Sequence, residues 1–370
     1  MHLVSIEVSN FRNLKGVFCF EQGLNIIFGE NGQGKTNCIE AIYFLATTRS
    51  FRTTNLSEMI AFGENFLSVS GKVVVSKEIQ KEIEVRLEGK RKSFLVNGKK
   101  VKVNEYLENL DAVIFNANEL EIVRGSPEAR RNFLDSGITA IYPAYLRTLL
   151  DYNRCLKQKN ALLEEAQKHD TAFDKVATMI EPWNEQIVSL ASRIHKLRVR
   201  YVERLSKALQ NQFFNNEFIK IRYVSSLEGK GDLSNYSSTL RERLSLRLGA
   251  EIAAGHSLVG VHRDDLEITV NDRDLKKFGS SGQQRSALLL LLIAKIEVYR
   301  QQNGYYPLFL IDDIDSELDY ERISKLLELL EGKTQTFVTT SKTSFLDKFA
   351  SKGKIITLKR GEVFSQSLTK

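Results

Sequence analysis

Cysteine is scarce in this chain: there are three in 370 residues, Cys19, Cys38 and Cys155, far apart and without metal-ligand spacing. An odd, sparse set excludes a disulfide framework and suits a reducing cytosol. Long hydrophobic runs are missing too. The longest, Ala287 to Ala294, falls well short of the ~20 residues a membrane-spanning helix needs. The first residues alternate apolar and polar (Val4, Ile6, Val8) as a strand does, with no charged-then-apolar leader. There is no internal repeat, no low-complexity tract, and no Ser-His-Asp or Cys-His set that argues for a nucleophile. The expectation is a soluble, cytoplasmic protein with no membrane partner.

What is present is a mild surplus of positive charge. Lys and Arg outnumber Asp and Glu by 53 to 46, a formal net charge of +7, which is compatible with a polyanionic partner such as DNA. A chain of this length exceeds what one core usually serves, so two lobes are expected. The first hundred residues read as strands around one helix. Leu24–Phe28 is a short apolar run ending at a glycine, and Thr36–Leu45 has helical spacing. Ile83, Val85 and Leu87 alternate with charged residues, and Asn97-Gly98 marks a two-residue hairpin. After about residue 125 helical patterns dominate. Ser126-Pro127-Glu128 forms a capped start, Ile187, Leu190, Ile194, Leu197 and Tyr201 form a heptad seam, and Gly249 is placed as the stop. Strand patterns resume at Leu266–Val270, Leu308–Ile311, Phe337-Val338 and Ile355–Leu358.

Gly29-Glu30-Asn31-Gly32-Gln33-Gly34-Lys35-Thr36 fits G-x-x-x-x-G-K-[ST] between a strand and a helix, the context a phosphate-binding loop requires. Its glycines let backbone N–H groups converge on an anion at a helix N-terminus. Lys35 is expected to reach the β- and γ-phosphates of ATP, and Thr36 to coordinate Mg²⁺. The apolar strand Leu308–Ile311 ends in Asp312-Asp313. The first carboxylate is placed beside the Mg²⁺ and the second where it can orient or deprotonate the attacking water. Ser280-Ser281-Gly282-Gln283-Gln284-Arg285 resembles the signature motif of ABC-type ATPases, and Ser316-Glu317-Leu318-Asp319 resembles their D-loop. In that class the signature serves nucleotide held by another subunit. The resemblance therefore implies that Ser280, Ser281, Gly282 and Gln283 act in trans, within an ATP-dependent homodimer.

Further stretches narrow the resemblance: Asn10-Phe11-Arg12-Asn13-Leu14, Asn37 after the loop, Arg49-Ser50-Phe51-Arg52, Gly125-Ser126-Pro127 with Arg130-Arg131, and Gly260-Val261-His262-Arg263-Asp264-Asp265. Together with the loop, the signature and the acidic strand, the sequence resembles the bacterial RecF family over nearly its whole length. The fold this implies is α/β: an ABC/SMC-type ATPase head, a mixed-sheet P-loop core at 1–120 and 255–370, with an inserted all-helical lobe at 121–254. The activity it implies is slow, DNA-stimulated ATP hydrolysis that governs binding to double-stranded DNA and to single/double-strand junctions. RecR is the implied partner, with RecO and RecA acting in the same repair process. Arg12 and Asn37 join the implied ATP contacts, and Ser316 and Asp319 the D-loop.

The sequence departs from the wider ABC pattern at Asp313, where glutamate is usual, at Thr339-Thr340-Ser341, where a histidine is expected, and in offering no evident Q-loop glutamine. Val261 stands where proline would be expected. Two other readings are a transporter-type motor subunit and an SMC-like chromosome-structuring ATPase. The first would need a membrane partner and the second a far longer coiled-coil insertion.

For DNA, Lys196, Arg200, Arg204 and Lys207 recur at steps of four, four and three on one helix face. Lys99 and Lys100 follow the Asn97-Gly98 turn. Either set could track phosphates, or form a solvated face or protected sheet edge. His262, with Asp264 and Asp265 beside it, reads as a hydrogen-bonded histidine and not as a metal ligand.

Overall fold

A computed structural model describes residues 1–76, 79–169, 171–209 and 218–367. Along the chain come β1 (His2–Phe11), β2 (Leu14–Cys19), β3 (Leu24–Phe28), α1 (Lys35–Thr47), β4 (Phe66–Ser76), β5 (Ile79–Glu88), β6 (Arg91–Val96), β7 (Lys99–Val101) and β8 (Ala112–Phe115). Next are α2 (Pro127–Ile141), α3 (Ala144–Lys168), α4 (Phe173–Leu209), β9 (Ile219–Val224) and α5 (Tyr236–Ala254). They are followed by β10 (Asp265–Val270), β11 (Arg273–Asp274), α6 (Ser281–Asn303), β12 (Leu308–Ile311), α7 (Tyr320–Leu330), β13 (Thr336–Thr340), β14 (Gly353–Lys359) and β15 (Glu362–Ser367). The chain divides into two compact units, Met1–Leu120 with Leu288–Lys370, and Glu121–Ala287. The sequence pattern alone puts the second junction earlier, at 254/255.

The first unit holds two six-stranded sheets. One is antiparallel, ordered β2-β1-β4-β5-β6-β7; the other runs β15-β14-β3-β13-β12-β8, with only the edge strand β15 antiparallel. α1 packs against both. Cys38, Ile39, Ala41, Ile42, Phe44 and Leu45 are all fully buried in a core with Leu3, Ile6, Leu67, Val85, Leu310 and Phe337. Burying each large apolar side chain contributes about 1.5–3 kcal/mol, so a helix engaged this widely has little freedom to shift its first turn. The Asn97-Gly98 turn joins β6 to β7 with φ of 49° and 74°, both left-handed as a tight hairpin of this length demands.

The second unit contains α2 to α5 and the antiparallel sheet β11-β10-β9. Two sequence expectations are corrected here. The lobe is not all-helical, because Ile219, Ile221 and Tyr223 alternate along β9 and pair in register with β10, Ile221 opposite Ile268. Gly249 does not end a helix: α5 continues to Ala254 and stops at Gly255, whose φ of 68° is the left-handed cap. α4 buries Ile187, Ile194 and Tyr201 of the expected seam, and Ser126 precedes Pro127 at the start of α2 without a side-chain cap bond.

Candidate functional site

Four parallel strands of the first unit end side by side, and each ending supplies part of one constellation. β3 leads into the loop Gly29–Gly34, which turns sharply into α1. Gly34 holds φ at 102° as the helix cap, with Asn13, Leu14 and Gly361 all within 3.3 Å of where a Cβ would stand. Only glycine fits both demands. Gln33 is pinned to the β14–β15 turn, its carbonyl accepting from Gly361 N at 3.0 Å and its Oε1 from Arg360 N at 2.6 Å. Lys35 Nζ lies over the loop and donates to the carbonyls of Gly29 and Glu30 at 2.8 and 2.9 Å. Its pKa is lowered by burial, against the opposing pull of Asp313 and Asp312.

β12 delivers Asp312. Thr36 Oγ1 donates to Asp312 Oδ1 at 3.0 Å, bringing together two residues 276 positions apart. β13, between β3 and β12, contributes Thr339. Its hydroxyl donates to Asp312 Oδ1 at 2.7 Å and accepts from Asp313 N at 2.7 Å. The position where a histidine was expected thus carries a hydroxyl that ties both acidic residues down. Burial raises the Asp312 pKa, while the bonds from Thr339 and Thr36 pull it back. Hard oxygen donors converging beside a helix N-terminus suit a Mg²⁺ and a polyphosphate.

Asp313 is exposed and takes the left-handed conformation, φ 52°. Ser316 Oγ donates to its Oδ2 at 2.7 Å, so the carboxylate has a fixed orientation. Asp319 caps α7, accepting from Arg322 N at 2.9 Å. One strand end is not foreshadowed by the sequence. β8 lies beside β12, Phe115 opposite Ile311, and Asp312 N donates to Phe115 O at 3.0 Å. Asn116 follows, 5% exposed, with its Nδ2 lacking a hydrogen-bond partner.

Arg12 and Asn37 sit at the flank of the loop. Arg12 Nε and Nη2 grip Glu40 of α1 at 2.5 and 2.9 Å. Asn37 Nδ2 donates to Asn13 Oδ1 and its Oδ1 accepts from Arg52 Nη1, both at 2.7 Å. Glu40 does not stand out in the sequence, and Arg52 does so only as part of the stretch Arg49-Ser50-Phe51-Arg52, since nothing local pairs a helical glutamate with arginines 28 and 12 residues away.

In the second unit, Ser280 and Gln283 form a reciprocal cap on α6. Ser280 Oγ accepts from Gln283 N at 3.2 Å, and Gln283 Oε1 accepts from Ser280 N at 2.9 Å. Ser281 and Gly282 form the first turn of α6, with Ser280 exposed and Ser281 also open to solvent. The paired motifs Arg130-Arg131 and Gly260–Asp265 interlock. Arg130 grips Asp265 at 2.6 and 2.9 Å, and Arg131 donates to Asp264 O at 2.9 Å. Asp264 is fully buried and accepts from Ser226 N and Tyr223 Oη. His262 Nδ1 meets Tyr152 Oη at 2.7 Å, and burial holds its pKa down at about 4.

Of the basic helix, Lys196 is exposed and Arg200 too, while Arg204 and Lys207 lie along the same stretch of α4. Arg198 is different: it is buried and forms a two-pronged pair with Asp135, both contacts at 2.8 Å. Lys99 and Lys100 are exposed on the edge strand β7. Among the described residues, no helix is long and apolar enough to cross a membrane.

Known proteins resemble this chain along its length. The sequence model of the family described as RecF/RecN/SMC N terminal domain matches residues 2–363. The DNA replication and repair protein RecF of Shouchella clausii (strain KSM-K16) is 35% identical over 356 residues, covering 94% of each chain. Its counterpart in Bacillus subtilis (strain 168) is 34% identical, over 94% of this chain and 95% of that one. A solved structure of the recombination mediator protein RecF-ATPrS in the RecFOR pathway has a TM-score of 0.88 at 32% identity, covering 98% and 97% of the two chains. The corresponding RecF-ATP structure gives 0.86 at 33%, over 99% of each. An Smc head bound to the C-winged helix domain of ScpA shares the fold, with a TM-score of 0.55 at 16% identity.

Proposed function

This chain belongs to the RecF family, and from that premise we propose that it is an ATP-switched DNA-binding protein of recombinational repair and replication restart. It binds ATP with Mg²⁺, dimerises head to head on gapped or junction DNA, and hydrolyses ATP slowly to reset. The observation that carries this reading is the hydrogen bond from Thr36 to Asp312, which joins the glycine loop to the acidic strand as one pre-assembled site. The names of its relatives, DNA replication and repair proteins and recombination mediators of the RecFOR pathway, support a role in replication and repair; in this reading RecO and RecR act beside it in the cytoplasm to help load RecA.

In this mechanism the backbone N–H groups of Gly29–Gly34 and the Lys35 ammonium receive the β- and γ-phosphates. Thr36 and Asp312 would hold Mg²⁺, which supplies charge neutralisation on the triphosphate when bound. Asp313, oriented by Ser316, accepts a proton from the attacking water. The shorter reach of aspartate in place of glutamate fits slow turnover. Ser280, with Ser281, Gly282 and Gln283, caps a helix N-terminus that favours anions, and acts on the γ-phosphate held by a second copy. Ser316 and Asp319 act as the D-loop of that dimer.

Sedimentation with and without ATP, in the presence and absence of gapped DNA, tests the proposal. Lys35→Met should abolish ATP-dependent dimerisation and DNA retention. Ser280→Arg should bind ATP yet stay monomeric. A Lys35→Met protein that dimerised with ATP as the wild type does would overturn the reading.

A further inference from the structure

Glu40 is the only carboxylate on α1, and its side chain is fully buried. A carboxylate tolerates that only when cations and donors meet it. Here Arg12 Nε and Nη2 donate to it at 2.5 and 2.9 Å, Ser50 Oγ at 2.5 Å and Arg52 Nη1 at 3.3 Å. Two guanidiniums share one carboxylate, so the cluster carries a surplus positive charge. Its place is next to the loop: Glu40 lies four residues after Thr36, on the same helix face.

The two arginines are held differently. Arg12 is fixed, with two donors on Glu40, a third on Glu58 O at 3.4 Å, and its backbone N bonded to Met59 O at 2.7 Å. Arg52 is 39% exposed, touches Glu40 once, and shares the same Nη1 with Asn37.

We propose that Glu40 is a positioning residue of the nucleotide site: it locks Arg12 and holds Arg52 on one breakable contact beside the first turn of α1, ready to move onto a triphosphate. The sharing explains the arrangement. When Arg52 exchanges Glu40 for a phosphate oxygen, Arg12 still neutralises the buried carboxylate, so the exchange strands no charge. A single arginine could not serve both anions. The inference rests on the ATP-binding reading.

Glu40→Gln keeps the shape of the site and removes the charge. ATP and ADP affinities are measured by fluorescence titration, and turnover at saturating ATP, on the full chain with gapped DNA. The expected result is that the preference for ATP over ADP falls about tenfold and turnover falls at least as far. Arg52→Gln should lose the same preference, and the double variant should be no worse than Arg52→Gln alone. A Glu40 that merely supports the fold would weaken both nucleotides alike and leave their ratio intact, which overturns the proposal. So would effects that multiply in the double variant. If Glu40→Gln does not fold, Arg52→Gln decides alone, and an unchanged ATP-over-ADP ratio sinks the idea. Lys35→Met separates the two readings. A wild-type protein that binds neither nucleotide removes the ATP site and this proposal together. Binding abolished in Lys35→Met but indifferent to Glu40 and Arg52 removes only the positioning role.

Discussion

Replacing Thr339 with valine preserves shape and deletes one hydroxyl, and the structure says what that hydroxyl holds. It is 1% exposed, donates to Asp312 Oδ1 and accepts from Asp313 N, both at 2.7 Å. Losing a bond to a charged group costs about 1.5–3 kcal/mol, and leaving the partly buried Asp313 N–H unpaired adds a cost toward the low end of the ~1–3 kcal/mol of a fully buried one. The two share one side chain and do not simply add, so Thr339→Val should destabilise the first unit by about 2–4 kcal/mol. In a unit of this size that lowers Tm by roughly 5–15 °C.

The cost should also depend on pH. Burial already raises the Asp312 pKa, and Thr339 pulls it down, so the valine variant raises it further. A folded-state carboxyl pKa above the unfolded value makes stability fall as pH rises through it. The difference between variant and wild type is therefore largest above that pKa and fades on acidification, as both proteins protonate Asp312. Urea unfolding at about pH 8 and about pH 5, without nucleotide, reads both parts. Thr339→Ser, which restores the hydroxyl, should recover most of the loss. A valine variant as stable as wild type at the higher pH, or a deficit that grows on acidification, would refute the reasoning.

Two further predictions concern the second unit. Asp135→Ala leaves the Arg198 guanidinium, 3% exposed, without its carboxylate and removes the acceptor of Tyr145 Oη at 2.6 Å; it should cost about 3–5 kcal/mol in urea unfolding, and adding Arg198→Met should recover part of that, whereas a single variant as stable as wild type contradicts the pairing. Neutralising Lys196, Arg200, Arg204 and Lys207 together should flatten the dependence of log affinity on log salt by about 0.9 for each duplex phosphate that these side chains neutralise in the wild type; an unchanged slope makes this face a solvated one.

How much of this was legible in the sequence depends on how far apart the interacting groups lie along the chain. The loop, its lysine and the Asp312-Asp313 pair were readable because each is a local pattern with its own strand or helix attached. The β6–β7 hairpin was readable for the same reason, since Asn97-Gly98 contains its own turn geometry. β9 was not, because the long helical patterns on both sides of it carried the reading through. Its alternation gains meaning only when Ile221 meets Ile268 across the ladder. Gly249 shows the limit of residue identity. A glycine after an apolar stretch looks like a stop, yet the stop is Gly255, the one that takes positive φ.

The site itself divides along the same line. Sequence comparison with the ABC pattern registers Thr339 only as a missing histidine. The sheet order β3-β13-β12 makes it the residue between the loop and the acids, so a hydroxyl there reaches both Asp312 and Asp313, while its place in the chain reveals neither bond. Glu40 is the more general case. Within α1 it reads as an ordinary helical glutamate, and its partners emerge only once the end of β1 and the segment after α1 bring Arg12 and Arg52 to the same carboxylate. A local motif thus marks the loop and the acidic strand end. The residues packed around them come from other segments, and folding alone brings them together.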